Sequence, residues 1–125
     1  MPKQIDEDKL FEATVAVFAE CGYQAATTLE IARRSEVSEV TLFRRYGGKA
    51  ALINAALAHT LARSPFAQTE ITDDVAADLL GMVRGYAETT QRHGGAALSL
   101  LTGVPRHPEL RVAMDALMPN LVNAA

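Results

Sequence analysis

Apolar residues recur along this chain at spacings of three and four and show no strand-like alternation, which is the period of amphipathic helices. Leu10, Ala13, Val17, Phe18 and Cys21 share one face of a first helix that Asp6 caps, and Ile5 is placed to staple onto Leu10. Gly22 is its natural stop. Thr27 then opens a short second helix. Thr27 and Glu30 have the Thr-x-x-Glu spacing of a capping box, and Ile31 and Ala32 are its apolar positions. Val37 is the lone apolar residue of the turn that follows. Ser38 offers another N-cap, and Leu42 and Tyr46, four apart, give the third helix one buried face before Gly47-Gly48 ends it.

A longer helix over 49–63 turns Leu52, Ile53, Ala56, Leu57, Thr60 and Leu61 inward, and Ser64-Pro65 breaks it. Residues 64–72 read as a linker. Thr72 is the next cap, with Asp73 and Asp74 in the first turn where the helix dipole favours acids. Val75, Leu79, Met82, Val83 and Tyr86 would form that helix's buried face, and Gly94-Gly95 its end. A short helix over 96–102 and a last one over 108–118, opened by Pro108, complete an all-α reading. Leu110, Met114, Leu117, Met118 and Leu121 form an apolar stripe on the last helix, with no obvious cover.

Composition narrows the picture. At 125 residues and 49% hydrophobic content the chain buries one ordinary core. Scarce aromatics and no Trp favour helix packing over a β fold. The single cysteine, Cys21, excludes an intramolecular disulfide and a Cys-based zinc site, and core packing is expected for it. His59, His93 and His107 match no metal spacing. No nucleophile–base pair, glycine-rich phosphate loop or carboxylate dyad stands out, so neither an enzyme nor a cofactor is expected. The polar N-terminus is unlike a signal peptide, and no apolar run approaches the roughly 18 residues of a membrane span. A soluble, cytoplasmic protein is the expectation.

Charge singles out residues 27–49. The chain carries a formal charge of −3, yet this stretch holds five bases (Arg33, Arg34, Arg44, Arg45, Lys49) against three acids (Glu30, Glu36, Glu39). A local basic patch on an acidic protein suits site-specific DNA contact better than indiscriminate binding. Two short helices joined by a tight turn form a helix-turn-helix, whose second helix enters the major groove. Residues 39, 40, 43 and 44 lie on one face, opposite Leu42 and Tyr46. Arg44 is the candidate for a bidentate guanine contact, and Val40 or Phe43 for a thymine methyl. Lys49 has the reach for a phosphate. Arg33 and Arg34 fit a solvated surface as well as they fit phosphate contact.

The order of elements and the residues Phe18, Gly22-Tyr23, Thr27, Ile31-Ala32, Val37-Ser38, Thr41-Leu42-Phe43-Arg44-Arg45-Tyr46, Lys49 and Leu52 resemble the TetR family of bacterial repressors. Residues 106–111, Arg-His-Pro-Glu-Leu-Arg, resemble the start of that family's seventh helix. The resemblance implies a three-helix DNA-binding head over residues 1–48, then a helical ligand-binding and dimerisation bundle over 49–125. The helix over 49–63 would connect the two. It implies a homodimer on a palindromic double-stranded DNA operator, released by a small apolar or amphipathic molecule. By the same resemblance Thr27 and Thr28 would touch phosphates, and Glu39, Val40, Phe43 and Arg44 would face the major groove. Arg45 and Lys49 would meet the backbone, and Ser38 and Thr41 belong to the same DNA-facing set.

This chain departs from the family pattern in three places. Glu36 stands where glycine is usual in the turn, Phe43 replaces a tyrosine, and Leu29 replaces an arginine found in some members. A left-handed Glu36 costs about 1–2 kcal/mol, and a modest affinity or unusual operator is expected. The chain is shorter than the family's usual length, so either the regulatory half is incomplete or dimerisation uses another surface. Candidate ligand-pocket residues are Leu57, Leu61, Met82, Val83, Tyr86, Leu98, Leu101, Met114, Leu117 and Met118, each of which also fits plain core. The competing reading is a protein-interaction or regulatory module that keeps the fold and binds DNA weakly.

Overall fold

A computed structural model of the chain describes residues 6–119, so the expectations for Ile5 and Leu121 lie outside the described residues. Helix α1 spans Glu7–Ala25 and begins where Asp6 accepts the Lys9 N–H at 3.1 Å. It buries Leu10, Phe11, Thr14, Val15, Val17 and Phe18. The buried Thr14 hydroxyl donates to the Leu10 carbonyl at 2.7 Å, and among the described residues no buried side-chain nitrogen or oxygen lacks a partner. Gly22 does not stop the helix but kinks it. At φ 76° it takes a backbone that glycine adopts freely, and one further turn follows. Cys21 is exposed, which corrects the expectation that it packs in the core. Its position follows the helical period of Thr14 and Phe18, and Gly22, where the helix kinks, comes directly after it.

Two short helices follow, α2 (Thr28–Ser35) and α3 (Glu39–Tyr46), then α4 (Lys49–Leu61). The remaining helices are α5 (Val75–His93), α6 (Ala96–Gly103) and α7 (Arg111–Leu117), the last entered through a 3-10 turn over Pro108–Leu110. Among the described residues every regular element is helical, as the 3.6 period predicts. Leu52, Ile53, Ala56, Leu57 and Leu61 of α4 are buried as expected. With α1, α6 and α7 they form a single core running from Leu10 to Leu117. Asn54 ties α7 to α4: it donates to the Glu109 carbonyl at 2.5 Å and accepts the Ala113 N–H at 3.2 Å.

The second half departs from the sequence reading in three ways. Residues 64–72 are not a plain linker, since Ser64 and Ala67 are buried and the Phe66 N–H donates to Thr89 of α5 at 3.0 Å. The cap of α5 is Asp74, which accepts the Ala77 N–H at 3.1 Å. Thr72 instead donates its N–H and hydroxyl to Asp78, each at 2.8 Å. Most importantly, the expected apolar face of α5 is largely uncovered. Val75 and Val83 are 69% and 66% exposed, Leu79 is exposed, Met82 and Tyr86 are half-buried, and only Gly85 and Thr89 are fully buried. The stripe on α7 shows the opposite outcome: Leu110, Met114 and Leu117 are buried. Among the described residues no helix is long and apolar enough to cross a membrane.

Candidate nucleic-acid interface

Local capping sets the geometry of α2 and α3. The Thr27 hydroxyl accepts the Glu30 N–H at 3.1 Å, closing one arm of the expected box. The Glu30 carboxylate is engaged by Arg33 and by Arg34, and mainly through the Arg33 hydrogen bonds its pKa falls to about 2. Glu36 ends α2 in the left-handed region at φ 60°, ψ 35°, the conformation usually given to glycine. The Val37 N–H returns to the Ala32 carbonyl at 3.1 Å, and the chain turns sharply into α3. There the Ser38 hydroxyl accepts the Thr41 N–H at 3.2 Å and pairs with the Thr41 hydroxyl at 2.8 Å.

The faces of α3 separate as the sequence predicts. Leu42 is buried and Tyr46 half-buried, whereas Val40 is 64% and Phe43 48% exposed. Arg44 is exposed beside them, and among the described residues it makes no hydrogen bond or ion pair. Leu29 of α2 is also exposed. Leu29 lies outside the Ile31–Ala32 stripe, and that place in the helical period is the sequence signal for its outward position. Leu29, Val40 and Phe43 are thus three exposed apolar side chains on α2 and α3.

The other candidate residues have internal partners. The Thr28 hydroxyl donates to the Glu39 carboxylate at 2.8 Å, fixing an acidic acceptor at the start of α3. Arg45 pairs with Glu7 at 3.2 Å, and the Tyr46 hydroxyl donates to the same carboxylate at 2.8 Å. The Tyr46 hydrogen bond above all, with Arg45 adding to it, lowers the Glu7 pKa. Burial, then the Glu7 contact, raises that of Tyr46. Lys49 turns inward, donating to the Tyr23 carbonyl at 2.8 Å and lying 4.4 Å from the centre of the Tyr23 ring. Lys9 pairs with Glu36 at 2.8 Å, and Arg34 with Glu20 at 2.7 Å. Such exposed pairs are individually weak and screened by salt. Together they lace α1 to the helix-turn-helix.

Six of the ten candidate ligand residues, Leu57, Leu61, Leu101, Met114, Leu117 and Met118, sit in or against the core. Leu57, Leu61 and Leu117 are sealed in the core and Met114 nearly so, Val83 and Leu98 face solvent, and Met82, Tyr86, Leu101 and Met118 are half-buried. The described residues instead form an open crevice of about 520 Å³ between α1, α4 and the end of α5. Phe11, Val15 and Ala16 give it an apolar wall, and Asp8, Glu12, Arg63 and Arg92 are among its charged residues. His93, at its edge, has a lowered pKa because burial, and then Arg92, disfavour the imidazolium. No residue of the expected pocket lines it. Among the described residues no group of His, Cys, Asp and Glu side chains is arranged to hold a metal ion.

Comparison with known proteins agrees with this geometry. Residues 10–56 match the family described as bacterial regulatory proteins, tetR family. The HTH-type transcriptional regulator YvkB of Bacillus subtilis (strain 168) is 39% identical over 74 residues, which are 58% of this chain and 38% of that protein. The chain thus spans under two fifths of that relative's length. The solved structure of the fatty acid degradation regulator FadR from Bacillus halodurans is similar over 98% of this chain and 59% of its own, at 19% identity and a TM-score of 0.47. The family match rests on the same residues that build α2, its turn and α3, so over residues 10–56 the chain is similar to the helix-turn-helix regulators of the tetR family.

Proposed function

We propose that the chain represses transcription by binding a palindromic operator as a homodimer, and that a small molecule releases it. The outward face of α3 carries this reading: Val40, Phe43 and Arg44 are exposed while Leu42 is buried behind them. Arg44 reads a guanine and the two apolar residues meet thymine methyls. Glu39, held by Thr28, is an acceptor for a cytosine amino group. Thr27, Thr28, Ser38 and Thr41 line the approach to the phosphates. Arg45 and Lys49 contact the backbone once they exchange their internal partners for phosphates. The small molecule is held by the crevice against α1, whose volume falls in the range of ligand sites.

Selection of genomic fragments on the purified protein is expected to enrich a palindrome. On that sequence Arg44→Ala weakens binding by about 5- to 150-fold and leaves random DNA unaffected. Equal losses on both would remove Arg44 from its role. Lys49→Ala is expected to weaken all sequences alike and to flatten the salt dependence by about one unit. The internal engagement of Glu39, Arg45 and Lys49 supports a second reading, a regulatory module with weak DNA binding. A selection that enriches no palindrome at low salt would favour it.

A further inference from the structure

We infer that Glu7, which lies outside the helix-turn-helix, is an internal competitor for the phosphate contact of Arg45 and lowers the protein's affinity for all duplexes alike. This rests on the DNA-binding reading above. Glu7 sits in the first turn of α1, where the helix dipole favours a carboxylate. Both of its oxygens are in use: one faces the Arg45 guanidinium at 3.2 Å, and the other accepts the Tyr46 hydroxyl at 2.8 Å. Two neighbouring groups in the last turn of α3 therefore hold one carboxylate. The pair is half-exposed on both sides, at 51% for Arg45 and 46% for Glu7, so a phosphate can reach it.

The chemistry makes Glu7 an occupant of the place a phosphate oxygen would take, since a guanidinium binds either anion through the same N–H donors. A duplex that engages Arg45 must displace Glu7 and leave a carboxylate beside its own backbone. That penalty does not depend on sequence, because phosphate contacts carry no base information. Arg44, with no internal partner among the described residues, bears no such penalty. Neighbouring arginines of one helix thus differ: one is free to read bases, and the other is restrained at the backbone.

The test measures binding of wild type, Glu7→Gln, Arg45→Ala and the double variant to the selected operator and to a random duplex, between about 50 and 300 mM salt. Glu7→Gln is expected to tighten both complexes about three- to tenfold at the lowest salt and to steepen the salt slope by about 0.9. The gain is expected to vanish in the Arg45→Ala background. Glu88→Gln, the same charge change on α5, is expected to leave binding as it was. If Glu7→Gln leaves binding unchanged or weakens it, Glu7 is not a competitor. A gain that persists without Arg45, or that Glu88→Gln reproduces, reduces the effect to net charge and also overturns the inference. Wild-type protein that binds no duplex at low salt overturns the DNA-binding reading and this inference with it. Loss of operator binding in Arg44→Ala, with no response to Glu7→Gln, overturns the inference alone.

Discussion

Helices α4 and α5 carry similar apolar patterns and meet opposite fates. In α4, Leu52, Ile53, Ala56, Leu57 and Leu61 are all buried, because both α1 and α7 pack against that helix. In α5, Val75, Leu79, Leu80 and Val83 are exposed; its buried residues, Gly85 and Thr89, face residues 64–69, and the helix also meets α6 and α1. Periodicity fixes which side of a helix is apolar. What covers that side is a property of the whole fold, and the two helices separate those facts.

Truncation of a side chain on each helix gives the largest expected difference. Leu57 is fully buried, so Leu57→Ala removes packed atoms and leaves a cavity, and a loss of about 2–5 kcal/mol is expected in urea unfolding. Val83→Ala removes atoms already in water, and a change within about 0.5 kcal/mol is expected. Comparable losses at the two positions would mean that the face of α5 is covered in solution. The contrast between the helices would then fail.

Glycines sharpen the comparison within α5 itself. A Cβ on Gly85 would lie 2.9 Å from the Phe66 Cα and 3.0 Å from the Pro65 carbonyl oxygen. These are backbone atoms, so Gly85→Ala is expected to cost about 1–3 kcal/mol through overpacking. One turn earlier, a Cβ on Gly81 would meet only the Thr69 methyl, at 3.5 Å. Gly81→Ala is therefore expected to stabilise by about 0.5–1 kcal/mol, from helix propensity alone. Thermal or urea unfolding of the two variants reads the sign directly. Stabilisation by both would show that α5 does not pack closely on residues 64–69.

What was legible in the sequence is what depends on neighbours along the chain. Asp6, Thr27 and Ser38 each accept the N–H three residues on, as their residue types and spacing predict. The outward set of Val40, Phe43 and Arg44 follows from the helical period once Leu42 is placed inside. Thr72 and Asp74 shows the limit of local reasoning: both are good caps, and the Thr72 hydrogen bonds to Asp78 leave the role to Asp74. The lacing of α1 to α3 was not legible, because Glu7 and Tyr46 lie 39 positions apart and only the folded chain brings them together. The crevice draws its walls from three helices, and for the same reason no stripe on a single helix announces it.

The turn between α2 and α3 is where sequence and geometry meet most directly, and it carries the smallest prediction. Glu36 is the one non-glycine residue at positive φ among the described residues. Its side chain pairs with Lys9 at 2.8 Å, an exposed contact that does little to offset the strain of a Cβ in the left-handed region. Glu36→Gly is therefore expected to raise stability by about 0.5–1 kcal/mol, although glycine also loosens the unfolded chain. Glu36→Ala separates the contributions, since it removes the carboxylate while keeping the Cβ. It is expected to change stability by less than about 0.5 kcal/mol. If alanine destabilises as strongly as glycine stabilises, the Lys9 pair rather than the backbone governs this turn. Charge contacts, not local conformation, would then be what fixes α3 against α2.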